Sequence, residues 1–252
     1  MLLQAVQEFA SDYLELLDRD PIVTREQLEE AAQCFVGDHP SLEIKDLQDF
    51  QYDPNPVFYR ALLDVLQRCP TLDIRHQASV AYCGWRRRHT DPRSVLPTLS
   101  LLVRNTAVSP GTRSTAAYEL AQAERTLGHN GKAIEWLLTS TAAAEEAGNR
   151  LQRLMNQAVA ASWEAETSPK SAEPTIRDLR AQFVLLAEDK TSPDRETARR
   201  WVMNTTYHLA KIAAGTGDED ELEEHLGLLE QPEYRELNWI TEDQLTELRA
   251  AL

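Results

Sequence analysis

Between Ala117 and Gly148 the chain reads AYELAQAERTLGHNGKAIEWLLTSTAAAEEAG, two apolar runs at helical spacing separated by Leu127-Gly128-His129-Asn130-Gly131. This pattern predicts two helices folded back on each other. Gly128 stands where a left-handed residue closes the first helix, and Asn130-Gly131 gives the backbone a second permissive point before the next begins. Ala121 and Ala133 fall where antiparallel helices approach closely, so larger side chains there would push the axes apart.

The rest of the chain continues the helical theme. Only 9 glycines and 5 phenylalanines stand among many Leu, Ala, Glu and Gln residues, the types that lose least on entering a helix. Almost no strand is expected. Leu3, Val6, Phe9, Ala10, Tyr13, Leu14 and Leu17 share one side of an opening amphipathic helix. Thr24 with Gln27 forms a capping box for a helix through Phe35, and a weaker stretch runs from Leu42 to Phe50. Asp53-Pro54-Asn55-Pro56 is the best internal boundary, because paired prolines cannot continue a helix while Asn55 can cap a new one.

Beyond it, Asp91-Pro92, Ser109-Pro110 and Ser192-Pro193 each set a capping residue before proline. Thr241 with Gln244 is a second capping box, with Ile240 and Leu245 as its hydrophobic staple. Helices are expected near 56–69, 73–89, 92–105, 111–127, 131–147, 149–166, 173–188, 193–214, 218–230 and 241–251. Short connections between them make successive helices antiparallel neighbours.

A weak internal repeat accompanies this spacing. An apolar residue followed by alanine recurs at Val80-Ala81, Leu120-Ala121, Val159-Ala160 and Leu209-Ala210, at intervals of 40, 39 and 50. Tyr118, Leu120, Ala121, Gly128 and Leu137 match Tyr207, Leu209, Ala210, Gly217 and Leu226 in every interval.

The stretch 117–148 resembles a tetratricopeptide repeat. Leu120-Ala121 stands at the family's Leu-Gly pair, Gly128 in its inter-helix turn, Ala133 at its close-packing alanine and Leu137 at its large apolar residue. The match departs at Ser140, which takes the third small position, at Ala117, where no Trp opens the motif, and at Glu145, where no proline closes it. The likeness covers about one repeat and is degenerate elsewhere. It implies an all-α fold, a right-handed α-solenoid of antiparallel helical hairpins. Residues 1–52 would be a helical N-terminal cap, and 53–252 the repeat array closed by a C-terminal capping helix. By the same resemblance the chain is read as a non-enzymatic adaptor presenting a groove to a peptide or partner protein, with Tyr118, Trp136 and Tyr207 as candidate contacts.

Charge narrows the partners. With 41 acidic residues against 26 basic and a net charge of -15, most of the surface repels nucleic acid and anionic membrane. The exception is Arg86-Arg87-Arg88, with His89, Arg93 and Arg75 nearby. Cations at a helix C-terminus complement its dipole; the alternative reading is an anion-recognising notch, which would make the chain a regulatory or nucleic-acid-associated protein contacting phosphate. The acidic run from Gly217 to Glu224 suits a solvated helix start, and it can also meet the arginines of a second copy in a head-to-tail homo-oligomer.

Catalytic patterns are sparse: no phosphate-cradling glycine loop, no G-x-S-x-G elbow and no H-E-x-x-H helix. Glu221 and His225 lie four apart and read as a solvated pair on a charged helix rather than as metal ligands. Cys34, Cys69 and Cys83 read as buried thiols, and Asp38-His39 beside Cys34 as no more than a sequence neighbour. No cofactor or metal is expected. The amino terminus lacks a basic n-region and carries Glu8 and Asp12 within its apolar pattern, so neither a secretion signal nor a membrane span is expected, and the location expected is cytoplasmic.

Overall fold

The computed structural model describes residues 72–252 apart from Asn238. The expected cap over 1–52, the Thr24–Gln27 box, the proline boundary at 53–56, the helix at 56–69, and Cys34, Asp38-His39 and Cys69 lie outside the described residues. Among those described, the chain is helical with no strand. They fall into two compact units that divide between Ala147 and Gly148.

In the first unit, α1 (Leu72–His89) is followed by a 3-10 turn (Pro92–Val95), α2 (Leu96–Arg104), α3 (Pro110–Thr126) and α4 (Asn130–Glu146). The single helix expected at 92–105 therefore divides. Asp91 caps the 3-10 turn by accepting from the Arg93 amide at 2.9 Å, and Pro97, in the first turn of α2, lets a fresh helix start there without losing a needed N–H. Val80, Cys83, Val95, Leu99, Leu102, Val108, Ala116, Leu120 and Ala123 form one core, against which Trp136 packs.

Helices α3 and α4 form the antiparallel hairpin expected at 117–148. Ser114 Oγ donates to the Ser140 carbonyl at 2.9 Å and Ser140 Oγ returns a bond to the Ser114 carbonyl at 2.7 Å. This register sets Ala117 across from Leu137 and Ala121 across from Ala133, and all four are essentially inaccessible. Ser140 thus serves the close approach while satisfying its own hydroxyl. The turn closes on Gly128, whose φ is 81°, and the His129 amide donates across it to the Glu124 carbonyl at 2.8 Å.

The second unit contains α5 (Arg150–Ala165), α6 (Pro169–Glu188), α7 (Arg195–Thr216), α8 (Glu219–Leu229), the short α9 (Pro232–Arg235) and α10 (Glu242–Arg249). Helix α6 begins four residues earlier than expected, at Ser168-Pro169, so Pro174 lies inside it on an exposed side. Ser192-Pro193 does not open α7: Ser192 Oγ accepts from the Asp194 amide at 3.2 Å, and the helix starts at Arg195. Likewise Ser109 makes no backbone cap, its hydroxyl lying 2.9 Å from that of Thr112.

Helix α7 is the hub, touching α5, α6, α8, α9 and α10. Its buried residues take up most of the circumference, as a helix covered on several sides requires, and leave one side, with Asn204, His208, Lys211 and Gly215, unburied. Its buried threonines satisfy themselves by bonding backward, Thr205 to the Trp201 carbonyl at 2.7 Å and Thr206 to that of Val202 at 2.8 Å. The α7–α8 connection repeats the first hairpin's turn: Gly217 has φ 73°, and the Asp218 amide donates to the Ala213 carbonyl at 3.0 Å. At the carboxyl end the Thr241–Gln244 capping box is formed, and Ile240 packs on the cluster that contains Leu245.

Because Ala121 faces Ala133 across a closed seam, Ala121→Leu is expected to lower stability by about 1–3 kcal/mol through overpacking. Chemical denaturation measures this, and a loss below about 0.5 kcal/mol would contradict the close approach.

Candidate functional site

The arginines of the expected notch fan out from the last turn of α1, successive side chains pointing about 100° apart. The Arg86 guanidinium lies over the Tyr82 ring, 5.9 Å from its centroid. Arg87 Nε donates to Glu119 Oε2 at 2.8 Å, and Arg88 reaches Glu119 Oε1 at 3.3 Å. Glu119, on α3, is only 7% exposed. Gly84 makes room for it: a Cβ at that position would stand 3.0 Å from the carboxyl carbon. Arg87 and Arg88 therefore close on the chain's own carboxylate and tie α1 to α3.

Arg93 is exposed on the 3-10 turn. Arg75 is exposed near the start of α1, about 16 Å along the axis from Arg86 at 1.5 Å per residue. These five residues do not converge on one external anion site.

The aromatic candidates are likewise used by the fold. Tyr118 is half-buried, and burial, reinforced by the Glu119 carboxylate beside it, pushes its phenol up to about 12. Trp136 packs against the core of the first unit. Tyr207 is buried among Ala210, Leu222, Leu226 and Leu245. Cys83 is in the core as expected, burial raising its thiol to about 12 and leaving it inert toward electrophiles.

The reading of Glu221 and His225 as a solvated pair needs correction. Glu221 bonds Arg177 of α6, whereas His225 is 4% exposed with neither ring nitrogen bonded. Helical spacing places the two residues near each other, but His225 falls on the side of α8 that carries Leu222, Leu226 and Leu229 into the core. Among the described residues no group of three His, Cys, Asp or Glu side chains is placed to hold a metal ion. The acidic run does form a helix start, Asp218 accepting from the Glu221 amide at 3.1 Å.

A crevice in the second unit escaped the sequence. Ser162, Ala165 and Glu166 at the end of α5, Pro169 at the start of α6, and His208, Lys211, Ile212 and Gly215 of α7 enclose a cavity of about 170 Å³. Pro169 and Gly215 also line a more open hollow with Lys170 and Thr216. Those two residues in turn border a third with Glu173, Asp218, Glu219 and Asp220. The result is a surface path with Lys211 and Glu166 at one end and Lys170 among four carboxylates at the other. Burial, and then the ammonium of Lys211, hold His208 down to about 4 against the opposing pull of Glu166, so it is a neutral imidazole at pH 7. The first end thus offers an ammonium and a carboxylate beside a ring that both donates and accepts, and the other offers carboxylates around Lys170. The one sequence signal that could have found it was Ser168-Pro169, another capping residue before proline.

Comparison of the chain with family models, with curated proteins and with solved structures finds no match.

Glu119→Gln leaves two guanidiniums facing a neutral amide and is expected to destabilise by ~2–4 kcal/mol, partial solvent access keeping it at the lower end. Arg87→Ala should cost more than Arg88→Ala in the same urea titration, since Arg87 makes the shorter contact. For His208 the folded pKa lies below the ordinary 6.5, so stability is full above that value and is lost as pH falls from 6.5 toward 4. His208→Gln should reduce this acid-side loss by on the order of 2 kcal/mol, read as the difference between unfolding free energies at pH 7 and pH 4.

Proposed function

We propose that this chain is a non-enzymatic, cytoplasmic interaction module, a right-handed array of antiparallel helical hairpins that holds a segment of a partner protein. The observation that carries the reading is the crevice along the second half of α7, with Glu166, His208 and Lys211 toward one end and Lys170, Glu173, Asp218, Glu219 and Asp220 toward the other. A groove with hydrogen-bonding groups and charges of both signs along its length suits a polar chain segment, whose backbone carbonyls and side chains meet each end in turn. Two hairpins built on the same intervals, each closed by a left-handed glycine and a bond from the following amide, support the array.

The alternative in which Arg86, Arg87 and Arg88 contact phosphate is less well supported. Two of those guanidiniums hold Glu119 and the third covers Tyr82. A phosphate would have to compete with a carboxylate already desolvated and bonded to both arginines.

Gly215 provides the test, since a Cβ added there meets nothing within 4 Å. Gly215→Leu should keep the fold, with stability unchanged or raised by about 0.5–1 kcal/mol from helix propensity, while its side chain fills the crevice. Proteins retained from a host lysate at physiological salt by the wild-type chain should fall at least tenfold on the variant, quantified by mass spectrometry. Equal retention of the same proteins by both would remove the crevice as the binding seat.

A further inference from the structure

His225 occupies a position that packing alone does not account for. The ring is 4% exposed, and both Nδ1 and Nε2 lack a hydrogen-bond partner. A neutral imidazole carries one donor and one acceptor, so leaving both unbonded forfeits the interactions each made in water. The charged groups that act on it come from two helices: Arg177 and Arg180 from α6, and Glu221 and Glu224 from α8 itself. The faces of α7 and α10 in the same core are apolar or neutral, with Tyr207, Ala210, Ala213, Leu245 and Leu248. From α9, Arg235 turns to Glu242, while Tyr234, next to Glu233, is a neutral phenol that burial shifts further above its ordinary range.

The neighbouring bonds leave little room for a proton. Arg177 binds both Glu173 and Glu221, joining α6 to α8, and Arg180 donates to Thr206 Oγ1 at 2.8 Å, joining α6 to α7. An imidazolium at His225 would be a buried cation beside two guanidiniums. Its nearest carboxylates are Glu224, exposed on the outer side of α8, and Glu221, already held by Arg177. The new cation must therefore draw Glu221 away from Arg177 or carry α8 off the core that it shares with α7 and α10.

We infer that His225 is an acid-sensitive latch, whose protonation releases α8 from the core it shares with α7 and α10 while the remainder of the second unit stays folded. The sign follows from the surroundings: burial, and then Arg177, hold the ring below its ordinary 6.5. The neutral, latched form is complete above that pH and is lost progressively below it. The inference concerns a helix junction and stands whether or not the crevice along α7 binds a partner.

Hydrogen exchange of the full chain tests it, with protection corrected for the intrinsic pH dependence of exchange. Between pH 7.5 and 5, amides of residues 219–229 are expected to lose at least tenfold in protection, while those of 176–183 and 201–213 change less than threefold. His225→Leu, which keeps an apolar filler, should abolish the change. The same loss in that variant, or a loss spread evenly over residues 150–249, overturns the latch. Should the variant not fold, the wild-type ring is followed by NMR. Titration below 6.5, in step with shifts of the α8 amides, supports the inference, and titration at or above 6.5, or out of step with α8, overturns it.

Discussion

The distance between paired helices governs this structure. In α3 and α4 the axes come close because Ala117, Ala121, Ala133 and Ser140 present little volume at the seam. Close approach brings backbone within reach of side-chain hydroxyls, so Ser114 and Ser140 exchange bonds with each other's carbonyls. Both seam hydroxyls are thereby paired away from water. The close approach also leaves Leu120, with Ala116 and Ala123, to meet Val80 and Leu99 of α1 and α2, and Trp136 of α4 packs against the same core.

Electrostatics supply the second layer of organisation. A chain with 41 acidic and 26 basic residues has few cations to spare, and the described arginines are mostly used as cross-links between elements. Arg87 and Arg88 reach from α1 to α3, Arg113 from α3 to Glu146 on α4, Arg177 from α6 to α8, and Arg199 to the Glu233 carbonyl of α9. Arg249 joins Glu230 and Glu242 at the carboxyl end. The exposed members of this set contribute little each, but the Glu119 site differs because its carboxylate is nearly inaccessible and two guanidiniums share it. Consuming cations this way leaves the surface acidic, which favours neutral or basic partners over polyanions.

Much of the candidate chemistry read from the sequence proved to be packing for the same reason. Arg86, Arg87 and Arg88 form a dense positive run on paper, yet the carboxylate of Glu119, 32 and 31 residues from the two arginines it claims, is invisible to any local window. Tyr207 was singled out for its place in a repeat, and that place faces the core of the second unit. His225 went the other way: read as solvated because acidic residues surround it, it is buried because α8 is amphipathic and its ring lies on the leucine side. The crevice was not legible because its walls come from α5, the start of α6 and α7, up to about fifty residues apart in the chain.

What the sequence determined by itself was local: that the described chain is helical, where most of its helices begin and end, and that Gly128 turns left-handed. Those properties follow from backbone propensity, capping chemistry and apolar period, all of which act within a few residues. Tertiary structure alone decided which side of α8 meets the core, which carboxylate Arg87 and Arg88 would bind, and where α6 and α7 part to leave a crevice. Each of these depends on desolvation and charge pairing between helices distant in the chain, and those energies do not exist until the helices pack.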